Sequence, residues 1–221
     1  MTKKRRSQEE RRTETCAKLR EATIALIAER GYSNTTTVDI SKRAGVSRGA
    51  LLHHYPAKID LIVDAAAEVW RSATAEVRHL SEALSHGELD TDAFVEGVWH
   101  RVFRRESVTM TLDLMSAARS DKALRKRIAV HLQNLFEAYD EIADQAFAGS
   151  GLSKDQRRVM VSLTTCTIRG LKLQELMHPD PAMTQAIRDA LKVMLDHILA
   201  SAEHSALLPE PRRTMKRAAA S

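Results

Sequence analysis

The four residues Ala44-Gly45-Val46-Ser47 lie between two short stretches of helical periodicity, and they constrain this chain more than any other feature. Ahead of them, the cluster Ser33-Asn34-Thr35-Thr36 offers side-chain oxygens that can cap a helix start, and Ile40 and Ala44 fall on one face of the helix that follows. Gly45 can take a positive φ, Val46 is an apolar plug, and Ser47 is a cap for the next helix. That third helix runs over residues 48–55 until Pro56 stops it. So small a turn holds its two helices together as a helix-turn-helix. Upstream, Leu19, Ala22, Leu26 and Ile27 mark the inner face of a first helix, which Gly31 closes.

Downstream, the periodicity predicts helices and no strands. Residues 58–84 carry Leu61, Ala65, Val69 and Trp70 at helical spacing, and residues 91–105 carry Phe94, Val98 and Val102. Residues 110–118 are apolar enough to be buried nearly all round, and residues 121–147 form a long amphipathic helix. Residues 153–177 and 181–202 form a closing antiparallel pair, with Ile187, Leu191, Met194 and Ile198 striping the last helix and Val159, Leu163 and Cys166 its neighbour. With 8 Gly and 5 Pro in 221 residues, little interrupts this pattern, and the expected class is all-α.

Charge divides the chain. The first 58 residues hold 13 Lys or Arg against 6 Asp or Glu, residues 205–221 hold 4 against 1, and the stretch between is net acidic. A basic front on an acidic body suggests a polyanionic partner for the front, although solvated surface charge would give the same count. The organisation expected is a basic flexible arm (1–14), a helix-turn-helix domain (15–58), a helical domain (59–204) and a basic disordered tail (205–221). Two distant cysteines, Cys16 and Cys166, give neither a zinc pattern nor a disulfide framework and suit a reducing cytoplasm. No apolar run approaches the ~18 residues of a membrane span, and the basic start lacks the apolar core of an export signal.

On the third helix, Arg48 suits the O6 and N7 of a guanine or, equally, a phosphate. Gly49 and Ala50 are small enough to allow close approach to base edges, and His53 and His54 follow on the same helix. Thr36 and Ser47 stand at helix starts, where hydroxyls either bind phosphate or simply cap, and Lys58 opens the next helix with a positive charge. Adjacent histidines point about 100° apart and are poor joint metal ligands. No catalytic motif is present, and neither a cofactor nor a metal is expected.

In order and spacing, Gly31-Tyr32, Thr35-Thr36, Asp39-Ile40, Ala44-Gly45-Val46-Ser47, Gly49, Leu51, His54-Tyr55 and Lys58 resemble the DNA-binding signature of the TetR family of regulators. The resemblance spans residues 19–62. It implies a three-helix helix-turn-helix domain followed by a helical ligand-binding and dimerisation domain. It further implies a homodimeric repressor on a palindromic operator in double-stranded DNA, released by a small molecule. Two positions depart from the family. Leu52 stands where an aromatic residue commonly contacts phosphate, and Ala57 stands where Ser is common.

Trp70, Trp99, Phe103, Met110, Met115, Phe136 and Tyr139 supply apolar surface for an apolar or aromatic effector, or serve as ordinary core. Arg169, among Thr165, Cys166, Ile168 and Leu171, either meets a ligand carboxylate or is paired internally or exposed at a dimer surface. Two other readings stay open: a helical small-molecule carrier or enzyme with a helix-turn-helix that does not read DNA, and a nonspecific architectural DNA binder.

Overall fold

A computed structural model describes residues 7–200 and 208–209. Its elements are α1 (Gln8–Arg30), α2 (Thr37–Ala44), α3 (Arg48–His54), α4 (Lys58–Ser85), α5 (Thr91–Gly97), a π-helical turn (Val98–Val102), α6 (Arg105–Ala117), α7 (Lys122–Ala146), α8 (Lys154–Met177) and α9 (Pro181–Ala200). Among the described residues there is no strand.

The front of α1 departs from expectation, since the segment read as an arm up to residue 14 is helical from Gln8. Ser7 Oγ accepts from the Glu10 amide at 3.1 Å, and the Glu10 carboxylate accepts from the Ser7 amide at 2.7 Å. This reciprocal cap satisfies two amides that a helix start leaves open, and Glu9 and Glu10 suit the positive end of the helix dipole. Residues 1–6 of that arm, and nearly all of the tail, lie outside the described residues.

Contacts group the helices into two units, and the division does not fall at Lys58. The first unit takes α1 to α3, the front of α4, α6 and the front of α7. Its core gathers Leu19, Leu26, Ile40, Leu51, Tyr55 and Leu61, with Val46 packed against it. Gly45 sits at φ 64°, ψ 31°, the left-handed conformation that a side chain disfavours, and this reverses the chain between α2 and α3. Helix α6 belongs here because the Asp113 carboxylate accepts from the Tyr32 amide at 3.0 Å, at the turn that closes α1. A Cβ at Gly31, where φ is 81°, would come within 3.2 Å of the same Asp113 oxygen, so glycine serves both the turn and the contact.

Helix α6 is not buried all round. Met110 and Leu114 are buried, but Leu112 and Met115 are 41% and 43% exposed, because α1 covers one side of α6 and the opposite side faces outward.

The second unit takes the rear of α4, α5, the rear of α7, α8 and α9. Phe94 and Phe147 meet edge to face with ring centres 6.5 Å apart, whereas Phe136 is 48% exposed and adds nothing to the core. The buried stripe of α9 is more polar than expected. It contains Arg188 and Lys192 beside Leu191, Leu195 and Ile198, while Ile187 and Met194 are half-buried. Arg188 donates to Glu96 at 2.7 Å, and Lys192 pairs with Glu96 and Asp92, each at 2.8 Å. These pairs fasten α5 to α9 and neutralise the cations that α9 buries.

Neighbouring leucines on α3 give a test of the first unit. Leu51→Ala is expected to cost ~2–5 kcal/mol in urea denaturation, as a core cavity does. Leu52→Ala, at a side chain 43% exposed, should stay within about 0.5 kcal/mol of the parent.

Candidate nucleic-acid interface

Leu51 turns inward, and its burial decides what α3 presents outward. Arg48, Gly49, Leu52 and His53 are exposed, while Ala50 and His54 are half-buried. The exposed four stand at i, i+1, i+4 and i+5 and so share one helical face. This face belongs to an exposed helix and lacks bulk at Gly49, which suits insertion into a groove about 12 Å wide.

Both ends of α3 are fastened. Ser47 Oγ accepts from the Ala50 amide at 3.1 Å, a bond that uses the oxygen of the hydroxyl and not its proton. At the other end the Tyr55 hydroxyl donates to Asp64 of α4 at 2.6 Å, and Arg20 of α1 donates to the same oxygen at 3.1 Å. Burial, reinforced by the bond to Asp64, holds the Tyr55 phenol well above its ordinary pKa, so it remains a donor. Asp64 thereby ties the recognition helix to both long helices beside it.

Two of the expected phosphate contacts are engaged within the protein. Thr36 Oγ1 caps the Asp39 amide at 3.2 Å and donates its own proton to the Asp39 carboxylate at 2.6 Å. The Lys58 ammonium lies 3.3 Å from the Tyr32 carbonyl and 5.0 Å from the centre of the Tyr32 ring, and burial lowers its pKa. Three residues of the expected arm, Gln8, Arg11 and Arg12, do reach this surface. Gln8, Arg11, Arg12 and Thr15 of α1 line an open groove together with His53 and His54 of α3. The Ser7-x-x-Glu10 spacing was the sequence signal that these residues continue α1.

The second unit holds an apolar cavity of about 40 Å³, partly open to solvent, with Ser81, Phe94, Tyr139, Phe147, Met160 and Thr164 among its walls. Of the effector candidates read from sequence, Tyr139 is in those walls. Trp70 is in the first unit and donates to Thr111 at 2.9 Å, and Phe103 and Met110 are core of that same unit. Met115 is exposed. Trp99 is buried with the Lys172 ammonium 3.5 Å and the Arg188 guanidinium 4.6 Å from its ring centre, so its ring is engaged by cations. Arg169 is half-buried and does not line the cavity. Hydropathy alone marked none of Phe94, Phe147 or Met160 as cavity rather than core.

A short helix fastened at both ends, following a tight left-handed turn and presenting Arg48, Gly49, Leu52 and His53 outward, has the form of a helix-turn-helix DNA reader. Residues 19–65 match the family described as bacterial regulatory proteins, tetR family. An HTH-type transcriptional regulator of Mycobacterium bovis is 30% identical over 186 residues, covering 81% of this chain and 92% of that protein. The HTH-type transcriptional regulator CymR of Pseudomonas putida is 28% identical over 191 residues, covering 86% of this chain and 93% of CymR. In fold, a protein described as a TetR-family regulator from Mesorhizobium loti superposes with a TM-score of 0.69 at 13% identity, over 86% of this chain and 97% of that one. The chain belongs to the TetR family of transcriptional regulators, whose members bind DNA and are not enzymes.

Removing one oxygen tests the anchor of α3. Tyr55→Phe should lower unfolding stability by ~1.5–3 kcal/mol, the usual worth of a hydrogen bond to a charged group, as read by chemical denaturation. The same variant should bind DNA more weakly, because α3 loses its fixed orientation.

Proposed function

We propose that this protein is a ligand-responsive repressor that acts in the cytoplasm as a homodimer on a palindromic operator and leaves DNA when a small molecule binds its second unit. The observation that carries the reading is the exposed face of α3, with Arg48, Gly49, Leu52 and His53 aligned by the burial of Leu51. Arg48 reads a guanine edge. Gly49 and Ala50 let the helix backbone approach the bases, and His53 and His54 extend the contact toward the flanking strand. Ser47 gives its proton to a phosphate oxygen while capping α3, and Thr36 and Lys58, held by Asp39 and Tyr32, brace the reading head from within. Leu52 replaces a polar phosphate contact with an apolar one and suits a thymine methyl.

Dimerisation is supported by apolar side chains left uncovered on the two closing helices. Leu163 of α8 and Val193 and Met183 of α9 are 41%, 69% and 53% exposed, an apolar surface that a single chain leaves in water. A second copy meeting this surface through the same two helices gives a two-fold dimer, and two-fold proteins read palindromes. No described helix is long and apolar enough to cross a membrane. The effector enters the apolar cavity, whose walls include Val77 and Ser81 of α4, the helix that begins at Lys58. Release follows if the ligand-bound conformation of the dimer fits DNA less well than the free one, and DNA must then weaken ligand binding by the same factor.

Selection from a random duplex pool at physiological salt should enrich a palindromic site. Arg48→Ala should lose ~1–3 kcal/mol of discrimination at one base of each half-site while still binding mixed DNA. Binding with no enriched sequence and a steep salt dependence would overturn this reading in favour of an architectural binder. In sedimentation, the parent protein should be dimeric, and the pair Leu163→Asp with Val193→Asp monomeric with its helical content intact.

A further inference from the structure

We propose that the cavity of the second unit takes a compact, uncharged molecule: one aromatic ring bearing a single oxygen that accepts a hydrogen bond. This rests on the ligand-responsive reading and narrows it to a chemical class.

The walls decide against charge. None of the residues that line the cavity is Asp, Glu, Lys, Arg or His. A carboxylate or ammonium placed there would lose its hydration with no counter-charge in the wall. Among the described residues, the cations of α8 and α9 nearest α5 are committed elsewhere: Arg188 and Lys192 to Glu96 and Asp92, and Lys172 to the Trp99 ring. Arg169 has interactions of its own and is not in the wall.

The walls also choose the polar group. Thr164 gives its proton to the Met160 carbonyl at 2.9 Å, and Thr165 gives its own to the Val161 carbonyl at 2.9 Å. Ser81, Thr91 and Tyr139 remain as wall hydroxyls able to donate. Tyr139 is buried, and burial pushes its pKa up to about 12 against the opposing pull of Arg169, so the phenol stays protonated and donates at neutral pH. A ligand oxygen that accepts is its complement. Phe94 and Phe147, already edge to face, offer a ring the geometry aromatic pairs prefer.

Size limits the ligand to one ring. Benzene occupies an apolar cavity of roughly 150 Å³, so a space of about 40 Å³ must widen by side-chain rotation even for a single ring. Fused ring systems would require the helices to separate.

The test uses three compounds of one shape: 4-ethylacetophenone (neutral), 4-ethylbenzoate (anion) and 4-ethylbenzamidine (cation). Each is titrated into the full-length protein by calorimetry and into its complex with the selected operator by fluorescence anisotropy. The ketone should bind at least 30-fold more tightly than either ion and release the DNA. Tyr139→Phe should weaken the ketone roughly tenfold and leave 4-ethyltoluene unchanged; should that variant fail to fold, Ser81→Ala makes the same comparison. Val161→Trp, which fills the cavity, should abolish ketone binding. An ion that binds as tightly as the ketone and releases DNA would overturn the assigned class and leave the ligand-responsive reading standing. Ketone binding that survives Val161→Trp would also overturn it. No binding and no DNA release by any of the three would count against both.

Discussion

A helix of seven residues does not hold itself together in water, because the bonds it closes are too few to offset the order it imposes. In this protein α3 exists because Leu51 is buried with Leu19, Leu26, Ile40 and Leu61, and its outward face follows from that single burial. The left-handed turn at Gly45, the Ser47 cap and the Tyr55–Asp64 bond then remove the remaining freedoms of the helix one at a time. DNA reading needs this rigidity, since a helix free to rotate on its own axis would present a different set of side chains to each base pair.

The same economy governs charge. In the first unit Asp64 accepts from both Tyr55 and Arg20, and Asp113 fixes the Gly31-Tyr32 turn, so isolated carboxylates act as fasteners between helices. In the second unit the buried cations of α9 are collected around Glu96 and Asp92, away from the cavity. What remains to line the cavity is aliphatic, aromatic or hydroxyl. The uncharged lining is thus a consequence of where the ion pairs were placed. An uncharged wall of this kind disfavours a charge brought against it through the desolvation that charge would suffer.

Much of the reading head was legible in the sequence because its signals are local. The hydroxyl cluster before α2, the Gly45-Val46-Ser47 turn and the apolar pattern from Leu19 to Ile27 each act within a few residues, and each held. The front of α1 was missed although its signal is also local. Its Ser7 and Glu10 cap each other, yet the surrounding charge resembled a segment with nothing to bury. The effector candidates fared worse, and for a different reason. Trp70, Trp99, Phe103 and Met110 are buried, as their hydropathy implies, but hydropathy does not say whether a buried side chain faces a neighbour or a void.

The sequence by itself determined the helices, the turn between α2 and α3 and the family, because these depend on periodicity, capping and residue types at fixed spacing. The tertiary structure alone decided which side of α6 is wet, that Lys58 and Thr36 are engaged inside the protein, and that the apolar cavity is walled by Tyr139, Phe94 and Phe147 without a charge. Those outcomes depend on which helices meet and at what rotation. Contacts between residues far apart in the chain set both, and no local pattern encodes them.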